Sequence, residues 1–344
     1  MQFIKPDINI DFVGKRKYAF TFSLTLIAIA IISLIIHHGP RYGIDFAGGT
    51  LIQVKFDKPV AIPKIKRGLQ NMKITASTVQ RFGQASNDEY LVHTDINTPA
   101  TNNLSAAVQQ NLKAATGVPV KVRRVEMVGP RVGKELREKA LYAIFYTLLL
   151  IAVYISGRFE LQWTKSGIVV AAIIGVVYLL SVFHVSVPYL ILASLLVSLA
   201  IFWYFEFKYA LGAIIALIHD VTITVGAFSV FGKEFTLPVI AALLTIIGYS
   251  LNDTIIVFDR IRENLRKHHK ESMATIINKS VNETLSRTIL TSGTVLIVVV
   301  ALFILGGGII HDFSFAMLVG VIVGTYSSIY VASPILLAFQ SRKK

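Results

Sequence analysis

Eight stretches of this chain run almost without charge for close to the length that crosses a ~30 Å hydrocarbon core at 1.5 Å per residue. They are Ala19–Ile36, Ala140–Ser156, Gly167–Phe183, Pro188–Phe205, Tyr209–Phe231, Phe235–Phe258, Thr288–Leu305 and Phe313–Phe339. No other feature limits the fold as strongly, and it predicts eight membrane helices. Composition agrees. Of 344 residues, 54% are hydrophobic and 16% charged, against roughly 25% charged in soluble domains. A purely water-soluble globule and a disordered chain are both excluded. The chain has no cysteine, which removes disulfides, thiolate nucleophiles and cysteine-based zinc sites.

The first run reads as a retained anchor. It exceeds a usual signal-peptide core, and His37-His38-Gly39-Pro40 offers no small-x-small cleavage site. With residues 1–18 inside, 17 of the 34 Lys and Arg residues fall in cytoplasmic segments and only Lys233 in a short outer loop. The positive-inside rule therefore places both termini in the cytoplasm. The other 16 basic residues lie in a polar segment, 38–139, on the far side. The net charge of +14 is thus largely a matter of topology, and nucleic acid is not an expected partner.

That polar segment reads strand–helix–strand–strand–helix–strand. The strands fall at Leu51–Phe56, Thr75–Phe82, Tyr90–Thr94 and Val118–Val128, and the helices at Pro63–Met72 and Thr101–Thr116. The order is that of a ferredoxin-like α+β domain inserted between the first two membrane helices. It carries no metal-spaced histidines and no nucleophilic triad, which favours a binding or mechanical part over an enzyme.

A charge inside a spanning helix costs roughly 2.5–3.5 kcal/mol on insertion scales, so each one needs a reason. Asp220, after His219, falls near the middle of the fifth span. It is read either as a structural carboxyl, protonated or hydrogen-bonded with help from Thr222 and Thr224, or as a second titrating group. Asp253 interrupts the sixth span within Gly248-Tyr249-Ser250-Leu251-Asn252-Asp253-Thr254. Desolvation favours its neutral form and a nearby arginine its ion, so it can take up and release a proton. Arg287 heads the seventh span at the cytoplasmic face, within reach of water or a carboxylate. An intramembrane aspartyl protease is disfavoured because no Gly-x-Gly precedes Asp253, and no His-Glu-x-x-His suggests a metalloenzyme.

Asp259–His269 is basic and serves either as a solvated topology determinant or as a surface helix touching anionic lipid. In the last span Gly320, Gly324, Ser328 and Ala332 form a small-residue stripe suited to close helix packing. Gly307-Gly308 reads as a turn, and His37, His38 and His311 receive no role.

Several segments, in order, resemble the SecF family of the SecDF protein-export complex, within the RND superfamily. They include Gly43-Ile44-Asp45-Phe46-Ala47-Gly48-Gly49-Thr50, Val128–Gly133, His219-Asp220-Val221, the run from Gly248 to Arg266 with Asn252, Asp253, Asp259 and Arg260, Arg287-Thr288, and Gly324–Tyr330. Two departures stand out. Ala47 replaces a usual threonine. Between Arg158-Phe159-Glu160 and the Ala210-Leu211-Gly212-Ala213 helix, about 45 extra residues carry the third and fourth apolar runs. The expected architecture is an α-helical polytopic RND-like half bundle of six core helices. An inserted two-helix hairpin, 158–208, joins them, with Pro188 near its outer turn. The remaining divisions are helices at 19–37 and 140–157, two core helices within 209–258, a cytoplasmic basic loop at 259–287, and two final helices within 288–344.

The resemblance implies an inner-membrane subunit that pairs with SecD beside the SecYEG channel, with YajC as a further partner. It would use the proton motive force to draw preprotein outward, the proton being the coupling ion and no other cofactor required. It also implies that Asp253 and Arg287 lie on the proton pathway. The competing reading is an RND-type proton-coupled transporter of small molecules or lipids.

Overall fold

The structure, a computed structural model, describes residues 8–70, 76–82, 88–94, 104–160, 163–182 and 187–339. It is a helical bundle carrying one small sheet. Helix α1 (Arg16–Ile36) leads through a single-turn helix α2 (Ile44–Ala47) into the polar segment. That segment comprises β1 (Gly49–Phe56), α3 (Ile62–Gln70), β2 (Ala76–Phe82), β3 (Glu89–Thr94), α4 (Leu104–Thr116) and β4 (Val120–Val128). All pairings are antiparallel and the strand order is β2-β3-β1-β4. Alternation on β1 and β3 sends Ile52, Val54, Phe56, Tyr90 and Val92 to one face. There they meet Ile65 and Leu69 of α3 and Val108 and Leu112 of α4. Each such side chain, fully buried, contributes about 1.5–3 kcal/mol. The Tyr90 hydroxyl avoids a desolvation loss by donating to the Val60 carbonyl (2.7 Å) and accepting from the Val60 N–H (3.1 Å).

The membrane portion follows: α5 (Pro130–Ile155), a π-helical turn (Ser156–Glu160), α6 (Trp163–Val182), α7 (Val187–Tyr204), α8 (Lys208–Val230), α9 (Leu237–Lys267), α10 (Met273–Leu305) and α11 (Gly308–Ser327). A second π-helical turn (Ser328–Ala332) and α12 (Ser333–Ala338) end the described chain. Among the described residues, six helices are long and apolar enough to cross a membrane, where eight were expected. The third and fourth expected spans coincide with α6 and α7. The apolar stretch of α7, Tyr189–Tyr204, is shorter than the others. The turn between α6 and α7 lies outside the described residues, as do residues 1–7 and 340–344 and parts of the polar segment's connections.

Two boundaries differ from the sequence reading because amphipathic helix continues past the apolar run, and a third difference lies within the last span. Helix α5 starts at Pro130, ten residues before the expected span, and Pro at its first turn costs no hydrogen bond. The basic segment 259–287 is neither a loop nor a separate surface helix. Helix α9 runs unbroken to Lys267, and after a short turn α10 starts at Met273 with Ser272 as its N-cap. Ion pairs hold that extension beyond the apolar run. Arg158 meets Asp259 at 2.7 Å, and Arg260 meets Glu283 at 2.6 Å and Glu263 at 2.7 Å. The third difference is the π-helical turn in the last span. It precedes Pro334, which has no N–H to continue the ladder, and the Ser333 hydroxyl donates instead to the Ser328 carbonyl (2.7 Å).

The glycines of the last span act as the stripe predicts. An added Cβ at Gly320 would collide with the Ile246 side chain, and one at Gly324 would lie 2.9 Å from the Ser250 Cβ. Helices α9 and α11 therefore touch backbone to side chain at these two levels.

Candidate functional site

The polar break in α9 lies where α8, α9, α10 and α11 converge. Asp220 and Asp253 are both buried, each with 1% of its surface exposed. They are satisfied very differently. Asp220 Oδ2 accepts hydroxyl protons from Ser250 of α9 (2.5 Å) and Ser327 of α11 (2.8 Å). Its Oδ1 lies 2.9 Å from His219 Nδ1, and His219 Nε2 lies 3.1 Å from the Ser23 hydroxyl of α1. Tyr326 of α11 extends this network, accepting from Ser23 (3.2 Å) and donating to the Ala19 carbonyl (2.7 Å). Asp220 thus ties four helices together. Thr224, expected to help its carboxyl, donates to the Asp220 backbone carbonyl instead (2.8 Å). That is the usual outcome for a threonine one turn downstream in a helix.

Asp253 has one hydrogen bond. Its Oδ2 accepts from the Ser292 hydroxyl of α10 at 3.3 Å, and Ser292 accepts from Thr325 of α11 at 2.7 Å. Its Oδ1 is buried with no partner among the described residues. Among the described residues, three further buried hydroxyls share that state: Tyr249, one turn earlier on α9, Thr288, one turn before Ser292 on α10, and Ser314 of α11. A desolvated oxygen without a partner costs ~1–3 kcal/mol, so this carboxyl is far less well satisfied than that of Asp220.

Arg287 does not head its helix. It lies inside continuous α10, about 27 Å along the axis from Leu305. This is close to the length that crosses a ~30 Å hydrocarbon core, so Arg287 falls near one edge of it. Its side chain is exposed, and among the described residues it makes no ion pair with Asp253. The helical repeat explains the difference. The α10 face turned toward Asp253 carries Thr288 and Ser292, four residues apart, and Arg287 is rotated away. Asn252 is likewise exposed, while Asp259 and Arg260 serve the ion pairs described above.

The glycine-rich motif lies at the opposite end of the bundle. Gly43 N–H donates to the Phe235 carbonyl (2.8 Å), and Phe235 N–H donates to that of Arg41 (2.7 Å). Asp45 Oδ2 accepts from Leu237 N–H (2.9 Å), capping α9 with a negative charge at its positive end. Ile44 and Phe46 are buried. Gly48 adopts φ +78°, which favours glycine, and its absent Cβ leaves 2.9 Å to Pro130 Cα. Gly49 and Thr50 then open β1, with Thr50 fully buried. The motif thus joins the sheet to α1, α5 and α9 within eight residues.

Serines and threonines carry most of this site, and Ser23, Ser250, Ser292, Thr325 and Ser327 drew no role from the sequence. They come from four helices, so no single window displays the constellation. The only signal was their occurrence on otherwise apolar spans, where hydroxyls commonly bond between helices.

Comparison with known proteins gives consistent matches. The family model described as "Protein export membrane protein SecD/SecF, C-terminal" matches residues 107–196 and 182–342, and that of the "SecD/SecF GG Motif" matches 33–60. A protein translocase subunit SecF from Desulfurispirillum indicum is 44% identical over 97% of this chain and 92% of its own. The SecF of Magnetococcus marinus is 42% identical over 100% of this chain and 97% of its own. The crystal structure of SecDF, a translocon-associated membrane protein from Thermus thermophilus, superposes with a TM-score of 0.73 at 31% identity, over 98% of this chain. This chain spans 40% of that longer one. Sequence, motif and bundle geometry therefore agree that the chain belongs to the SecD/SecF family of protein export membrane proteins.

Proposed function

We propose that this chain is the SecF subunit of a SecDF complex and couples inward proton flow to preprotein translocation. One observation carries the reading: the buried Asp253 carboxyl with an unpartnered Oδ1, beside the hydroxyl pair Ser292–Thr325. Its neutral form suits the site and its ionised form does not, so each protonation cycle changes how α9 packs on α10 and α11. Arg287, five residues before Ser292 on α10, supplies a positive charge on the proposed cytoplasmic side of that carboxyl. Asp220 is the fixed partner about which that packing changes. A proton crossing the whole potential releases about 2.3 kcal/mol per 100 mV, enough to shift such an equilibrium.

A SecD-like partner is supported by the outward face of α9. Ala241, Thr245, Gly248 and Asn252 are exposed at helical spacing, with no atom near a Cβ built on Gly248. Lipid leaves an exposed asparagine at that depth unsatisfied, whereas small residues admit a neighbouring helix closely. The translocation channel, YajC and emerging preprotein complete the proposed set of partners. The sheet order β2-β3-β1-β4 with α3 and α4 on one face supports a ferredoxin-like domain. It would lie on the periplasmic side of the inner membrane, with both termini cytoplasmic. Helices α6 and α7 read as an added hairpin beside a six-helix core, and the two matched stretches of the family model meet at residues 182–196, within it.

The test is Asp253→Asn in membrane vesicles carrying the complete complex. The variant should assemble, yet preprotein release should lose its stimulation by a proton gradient. Stimulation at the wild-type level, abolished by an ionophore, would refute the proton role.

A further inference from the structure

The cations of the α9 extension are matched unevenly. On one side, Arg260 meets Glu263 and Glu283, and Lys267 meets Glu263 at 2.6 Å. On the side turned to the first π-helical turn, the spacing of Asp259, Arg262 and Arg266 keeps three side chains on one helix face. Arg158 of that turn engages the Asp259 carboxylate. Arg262 reaches across to the Arg158 backbone instead, donating from Nη1 to its carbonyl (3.2 Å). Two guanidinium groups thus lie around one carboxylate. Among the described residues, Arg262 makes no ion pair, and Arg266 makes neither an ion pair nor a hydrogen bond. Each guanidinium nevertheless carries five donors. Like charges four residues apart on a helix repel, so this face lacks an anion.

Depth indicates which anion. The apolar run of α9 ends at Phe258, about 32 Å along the axis from Leu237. That matches a hydrocarbon core of ~30 Å, beyond which the headgroup layer adds roughly 5–8 Å on each side. Arg262 lies about 6 Å past Phe258 and Arg266 about 12 Å, and long arginine stems bend back toward the interface. Exposed Tyr154 of α5 and Trp203 and Tyr204 of α7 mark the same end of the bundle, as aromatic rings do at a membrane surface. The Tyr154 hydroxyl accepts from Arg158 Nη1 (3.0 Å). Leu150, one turn before Tyr154, is also exposed and offers acyl chains an apolar surface beside the arginines.

We propose that Arg158, Arg262 and Arg266 hold the phosphate of an anionic phospholipid headgroup, which clamps α5 to α9 at the end of the bundle away from the sheet. Guanidinium forks match phosphate oxygens in pairs. Arg262 and Arg266 supply the uncompensated charge. Arg158, engaged by Asp259, positions Arg262 through its carbonyl. The adjoining apolar surface of α5 selects a lipid over a soluble phosphate.

Native mass spectrometry of the delipidated full-length chain, titrated with phosphatidylglycerol or phosphatidylcholine, tests the site. The wild type should bind phosphatidylglycerol more tightly than phosphatidylcholine. Arg262→Gln keeps a donor for the Arg158 carbonyl but loses the charge. It should weaken phosphatidylglycerol binding roughly 5-fold, and Arg262→Gln with Arg266→Gln roughly 30-fold. Phosphatidylcholine binding should change in neither. Arg262→Lys with Arg266→Lys, which retains both charges, should bind phosphatidylglycerol more tightly than the glutamine pair. Equal phosphatidylglycerol binding by the wild type and the glutamine pair would overturn the site, as would equal wild-type affinity for the two lipids. Displacement of phosphatidylglycerol by millimolar inorganic phosphate would overturn a lipid as the occupant.

Discussion

Gly320→Ala probes the α9–α11 contact at its tightest point. The new methyl carbon would sit 2.7 Å from Ile246 Cγ2 and closer still to Cδ1 and Cγ1. Turning the Ile246 side chain moves the outer methyl but not both γ carbons, and Ile246 is fully buried. The helices must therefore part. Overpacking of this kind costs about 1–3 kcal/mol, a roughly 5- to 150-fold loss in the folded ratio at tenfold per 1.4 kcal/mol. Ile246→Ala alone leaves a cavity costing about 2–5 kcal/mol. In the double variant, the methyl added at position 320 occupies part of that cavity. The combination should therefore be more stable than the sum of the singles by about 1–3 kcal/mol, within the range for contacting residues. Reversible unfolding in mixed SDS micelles measures all four proteins. Additive losses would refute the claim that Gly320 and Ile246 meet.

The termini of α9 and α10 allow two further checks. Asp45→Ala removes the acceptor of Leu237 N–H and should cost ~0.5–2 kcal/mol, read as faster hydrogen exchange in the first turn of α9. Asp45→Asn, which keeps an acceptor, should recover most of that protection, and equal exchange in all three proteins would contradict the cap. Near the start of α10, Asn278 accepts from the Phe12 and Val13 N–H groups (2.8 and 3.2 Å) and donates to the Ile10 carbonyl (3.0 Å). Asn278→Ala should raise exchange at Phe12 and Val13 about tenfold or more, at ~1 kcal/mol per bond. Unaltered protection there would show that the segment is held by other means.

Family and site were legible to different depths. Six apolar spans, the alternating strands of the polar segment and the lone intramembrane acids could be read directly because each is a local pattern. The glycines at 320 and 324 could be assigned to packing, though not to Ile246 and Ser250 as the residues they meet. Asp253 and Asp220 looked alike in sequence, each an acid in an apolar helix. They diverge only when Ser250, Ser327 and His219 converge on one carboxyl and Ser292 alone reaches the other. Arg287 was misplaced at a helix start because an apolar window ends where charge begins, whereas the hydrogen-bonded helix continues through amphipathic residues to Met273.

By itself, the sequence determined that this chain lives in a bilayer and that a small mixed α/β unit is threaded between two spans. Hydrophobicity, charge and periodicity are carried by neighbouring residues and survive without a partner. Only the tertiary structure decided which acid is fully bonded and which is left wanting. Those outcomes depend on side chains far apart in sequence meeting in a low-dielectric interior, where one hydroxyl more or less sets the state of a carboxyl.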